Sequence, residues 1–125
     1  MAEPFQHFVD DYLAYLYEAH PTSATLDGNH LHDDLLEDLS RTAVDSHAGA
    51  LAGFARRLDA IPSEPLSLTD QIEHNIVRDN IEARRFDIEA VRRWERDPQY
   101  YGLLLASSLA AQAIFAFAPE TDRAR

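Results

Sequence analysis

Apolar side chains recur at spacings of three and four along most of the chain, the pattern of helices that bury one face. Phe5, Phe8, Val9, Tyr12, Leu13 and Leu16 define one such face and predict a first helix over residues 4–20, with Asp10, Asp11 and Glu18 off the stripe. Pro21 ends it, because a residue before proline resists the α region. Val44, His47, Leu51, Phe54, Leu58 and Ile61 predict a second helix over 40–61, with Ser40 as its cap. Ser67-Leu68-Thr69-Asp70 opens a third, over 67–95, with a hydroxyl cap and an acid in the first turn. Ile72, Ile76, Ala83 and Phe86, joined by Val91 and Trp94, are expected on its buried side. Glu82–Arg85, Glu89–Arg92 and Glu89–Arg93 are spaced to pair on its exposed side, each pair worth only about 0.2–0.5 kcal/mol. Asp97-Pro98 supplies a cap and a first position for a fourth helix over 98–118. The expected fold is therefore all-α, a four-helix assembly.

Two stretches break the amphipathic pattern. Residues 21–39 show no clear periodicity and read as a long acidic linker between helices one and two, with Asp27-Gly28-Asn29 as a turn in which Gly28 or Asn29 takes positive φ. The fourth helix has the opposite character: no residue between Pro98 and Pro119 is charged, and its leucines and phenylalanines cannot share one narrow face. A helix apolar all round is a core helix or a membrane span. Its length reaches the roughly 20 residues a bilayer needs. Gly102, Ser107, Ser108, Gln112 and many alanines weigh against a span, leaving a central helix that three amphipathic partners would hardly surround. Beyond it, Pro119-Glu120 has the chemistry of another helix start. Residues 1–125 are thus expected to be a helical segment of a larger domain.

The charge and the absent residue types narrow the chemistry. With 22 acids against 11 arginines the net charge is −11, which disfavours nucleic acid and anionic membranes as partners. Nine of those acids, and no arginine, lie in residues 1–40, so an acidic first third is available to dock on Arg56-Arg57, Arg84-Arg85 or Arg92-Arg93, or simply to face solvent. Zero cysteines exclude disulfides and thiolate metal sites. No basic or apolar leader follows Met1, so the expected compartment is the cytoplasm. His30, His32, Asp33 and Asp34 are the densest group of candidate metal ligands, though their spacing also fits a solvated acidic loop. His7 with Asp10 and Asp11, and His74 with Asp70, read as surface pairs one helical turn apart. His47, on an apolar stripe, reads as a hydrogen-bonded core histidine. No phosphate loop, nucleophile elbow or His-Glu-x-x-His occurs, so no catalytic residue and no firm metal ligand is assigned.

Several landmarks occur together in a meaningful order. Pro21-Thr22-Ser23-Ala24-Thr25 is followed by Gly28-Asn29-His30, an acidic run ending at Ser40, then Trp94, Asp97-Pro98 and Tyr100 or Tyr101. In this the chain resembles, over nearly its whole length, the amino-terminal part of the bacterial domain of unknown function 885 family. The resemblance implies a mostly helical protein of several hundred residues, similar to zinc metallopeptidases, whose His-Glu-x-x-His helix lies far beyond residue 125. It implies structural roles for Gly28, Trp94, Pro98 and Tyr100. It also implies zinc and a peptide substrate for the whole protein, and no zinc ligand in this segment. The partner would be the remainder of its own chain. Two alternatives remain at this point: a self-contained acidic helical module that hides its fourth helix in a homo-oligomer, and a weak metal binder using His30 and His32.

Overall fold

A computed structural model describes residues 3–114, and every regular element among them is helical. The order is α1 (Glu3–Ala19), α2 (Pro21–Leu26), a 3-10 turn (His30–His32), α3 (Arg41–Asp59), α4 (Leu68–Phe86), a π turn (Asp87–Val91), α5 (Arg93–Arg96) and α6 (Pro98–Ile114). The expected end of the fourth helix and the helix start at Pro119 lie outside the described residues.

The core is made by α1, α3 and α4. Phe5, Phe8 and Tyr12 from α1 meet Leu51 and Leu58 from α3 and Ile81 from α4, with Leu66 closing the turn between the last two. Phe54 gathers the rings of Phe8, Tyr12 and Tyr15 at centroid distances of 5.9, 5.1 and 5.2 Å, separations at which aromatic pairs attract. Arg57 lies over Phe8 and Phe54 while its guanidinium reaches Asp11 at 2.5 Å, which ties α3 to α1 at the edge of the core. This is where the acidic first third meets a basic cluster.

Helix starts follow the sequence chemistry. Ser40 Oγ accepts from Ala43 N and Ser67 Oγ from Asp70 N, so each satisfies an otherwise orphaned first-turn donor. Asp97 does the same for Gln99 N, ahead of Pro98. Pro21 ends α1 and at once begins another helix: His20 leaves the helical region at φ −129° and ψ 69°, and Pro21 becomes the first residue of α2. The expected structureless linker therefore contains a helical turn and a half, whose Pro21, Thr22, Ala24 and Thr25 are buried. Gly28 takes the positive φ (88°) expected at this turn.

Three further expectations need correction. First, the third helix stops at Phe86. Arg92 N donates to Asp87 O across a five-residue loop, and Arg92 itself is left-handed at φ 56° and ψ 47°. Arg93 then forks onto the Asp87 carboxylate at 2.7 and 3.0 Å. The turn changes the register, so the ion pairs formed here are Arg85–Glu89, Arg92–Glu95 and Arg93–Asp87. Second, α4 buries the face carrying Asp70, His74 and Ile81, while Ile72, Ile76, Ala83 and Phe86 are exposed. His74 is thus a core residue, 1% exposed. Its Nε2 stands 3.3 and 3.1 Å from the carbonyl oxygens of Leu58 and Ile61, and satisfies acceptors at the end of α3. Third, α6 is peripheral. It packs on α2 and α5 through Ala111, but Leu103, Leu105 and Leu109 are 57, 51 and 71% exposed. Among the described residues, no helix is long and apolar enough to cross a membrane.

Candidate functional site

The end of α1, the 35–39 segment, the first half of α3 and the π turn enclose a cleft of about 540 Å³. That volume suits a small organic molecule. Each wall is placed by a feature already described. The break at His20 lets α1 end against α3, so Tyr15, His20 and His47 converge. The left-handed Arg92 turns the chain so that Trp94 and Tyr100 reach the same cleft. Trp94 is held by its indole N–H donating to Ile88 O at 3.3 Å and by the guanidinium groups of Arg41 and Arg92, 5.4 and 5.7 Å from its ring. Its carbonyl accepts the Tyr101 hydroxyl. π turns and left-handed residues other than glycine are concentrated at functional sites.

The polar centre is a cluster of three rings. Tyr15 lies against His47 at 5.5 Å, with its hydroxyl bonded to His47 Nδ1. His20 meets His47 edge-on at 5.0 Å. Burial holds the His20 imidazole down to about 4, helped by the positive charge of Arg84. Burial likewise lowers His47 to about 4, with His20 and Arg84 adding to the effect. Burial raises the Tyr15 phenol, so at neutral pH all three rings are uncharged. A histidine with so low a pKa is a weak base near pH 7. The pair thus offers hydrogen bonding in place of proton transfer.

The charged residues of the cleft differ in how far they are occupied. Glu37 accepts from Thr22 N and Oγ1 at 3.2 and 2.7 Å. Asp87 is clamped by Arg93, and Asp38 accepts from Ser40 N at 2.9 Å. Arg84 donates through Nε to Asn80 Oδ1 at 2.9 Å and makes no ion pair with a carboxylate among the described residues. It also lines a second cavity of about 300 Å³ between α1 and α4, so it stands in the wall between the two. His20 Nε2 is buried with no hydrogen-bond partner among the described residues.

Trp94 and Tyr100, singled out from the sequence, both line this cleft. Gly28 makes its turn and Pro98 begins α6, both away from it. His30, His32, Asp33 and Asp34 lie on and after the 3-10 turn. His30 Nδ1 meets Asp33 at 3.2 Å, and Asp33 Oδ1 also accepts from Thr25 Oγ1 at 2.7 Å. Among the described residues no group of three or more histidines and acids is placed to hold a metal ion. The sequence reading passed over His20 and Tyr15; a histidine directly before a helix-ending proline was the one available sign. Comparison with family models, curated proteins and solved structures finds no match.

Proposed function

We propose that this chain is a non-catalytic helical scaffold segment of a larger cytoplasmic bacterial protein, similar to zinc metallopeptidases and related to the domain of unknown function 885 family. Its role is to pack against further polypeptide and help wall a cleft for a peptide substrate. The observation that carries this reading is α6. It is uncharged from end to end, yet leaves Leu103, Leu105 and Leu109 in solvent. Scattered exposed leucines are ordinary, but an uncharged helix left open to water on several sides marks a surface that another protein element covers. The exposed Ile72, Ile76 and Phe86 of α4 supply a second such surface. The net charge of −11 opposes covering either surface with a second identical copy.

The landmarks from Pro21 to Tyr100 support the family assignment, and zinc would belong to the part of the protein that carries His-Glu-x-x-His. An antibody against residues 3–114 tests the proposal on the native protein. It is expected to capture from the source cells a zinc-containing polypeptide several times heavier than 14.1 kDa. A native 14.1 kDa species forming a discrete folded oligomer would instead establish the self-contained module.

A further inference from the structure

The cleft beside the two histidines has its own chemistry, independent of what covers α6 and of the family assignment. Three carboxylates line it with no cation paired to them among the described residues: Glu18 on α1, and Glu37 and Asp38 on the 35–39 segment. Glu37 is the best placed of the three. It is half-buried, and Thr22 N and Oγ1 donate one hydrogen bond to each of its oxygens, which fixes the carboxylate without cancelling its charge. Each oxygen keeps a second lone pair, so another donor can be accepted. Asp38 is likewise bonded to a neutral group, the Ser40 amide, and Glu18 is exposed.

The cations nearby do not offset these acids. Arg93 is taken up by Asp87, and Arg41 and Arg92, which rest on Trp94, pair with Asp45 and Glu95. Arg84 alone among the lining residues opposes the three carboxylates. The cleft therefore attracts positive charge, in a protein whose net charge of −11 adds to the attraction. Its walls are otherwise largely apolar. Leu35 and Leu36 line it while half-exposed, next to Glu37 in the chain. Apolar walls with a few placed polar groups suit an organic ligand better than a bare ion.

We propose that this cleft binds a small organic cation, an ammonium group on an apolar body, with the ammonium donating to the Glu37 carboxylate and the body covering the apolar walls at Leu35 and Leu36. Glu18 and Asp38 add attraction from the more exposed side. The ligand brings the half-buried Glu37 the counter-charge that Thr22 does not supply.

Trp94 is the single tryptophan of the 125-residue chain, so its indole N–H resonance reports on the cleft alone. Three probes of similar shape distinguish the chemistry: 1-naphthylmethylammonium, 1-naphthylmethanol and 1-naphthylacetate. The ammonium is expected to shift the Trp94 signal saturably and to bind about tenfold or more tightly than the other two, as a charge-assisted hydrogen bond requires. Glu37→Gln, which keeps an acceptor for Thr22, should weaken it by a similar factor. The double variant Glu18→Gln/Asp38→Asn should weaken it by about threefold, as expected of exposed charges, and keeps the test intact if Glu37→Gln fails to fold. Equal or tighter binding of the alcohol or the acetate, no saturable shift with the ammonium, or undiminished binding by either folded variant would each overturn the site.

Discussion

His20 and His47 are neutral because water is kept from them, and that exclusion has a direct consequence for stability. In the unfolded chain each titrates near 6.5; in the folded protein each is held to about 4. Between those values the unfolded state binds protons that the folded state refuses. Stability is therefore complete above pH 6.5, declines as pH falls, and stops declining from this source below about 4. Solvent reaches part of both rings, so the combined loss is on the order of 2–3 kcal/mol. Urea midpoints measured at pH 7 and pH 5 are expected to differ accordingly. The double variant His20→Gln/His47→Asn should remove most of that difference, since its amides do not titrate and an Asn oxygen can take the place of His47 Nδ1. His47 was legible as a bonded stripe residue because Val44 and Leu51 flank it at helical spacing. His74 was not, because its surroundings come from the far end of α3, and nothing in Asp70-Gln71-Ile72-Glu73-His74 announces two carbonyl oxygens waiting there.

The helices themselves were readable where a cap, a proline or a glycine acts locally. Ser40, Ser67, Asp97 and Pro98 each stand at the start their chemistry specifies. Gly28 shows how local such an effect is. A Cβ at that position would touch nothing within 4 Å, so the whole cost of Gly28→Ala arises from forcing φ 88° on an L side chain. That cost is about 1–2 kcal/mol. A lowered thermal midpoint with unchanged helical circular dichroism is the expected result. The π turn was invisible for the converse reason. It depends on Arg93 reaching back to Asp87 and on the Trp94 indole donating to Ile88 O, and a sequence of good helix formers conceals both. The buried face of α4 was misread because this helix has apolar residues on two sides. Only the positions of α1 and α3 decide which side is covered: Val77 and Ile81 are enclosed, and Ile72 and Ile76 are left out.

The molecule joins a well-knit three-helix core to an outlying apolar helix. That the last helix would exceed what its neighbours could cover was legible from its lack of charge; that it would stand at the edge was not, since hydrophobicity alone gives no position. Leu103, Leu105 and Leu109 contribute little to the isolated fold because they remain in water. Replacing all three with Gln should change the unfolding free energy by less than about 1 kcal/mol and raise the concentration at which light scattering detects association. A large loss of stability would mean that these leucines are packed after all.

Beyond its packing on α2 and α5, that helix is tied to a distant stretch of the chain. Gln112 Nε2 donates to Asp33 O at 2.9 Å, across 79 positions of sequence. The chain leading from Asp33 into the cleft wall borrows its anchorage from the far end of α6. Whatever grips α6 also steadies that wall, and whatever pulls the helix away sets it loose.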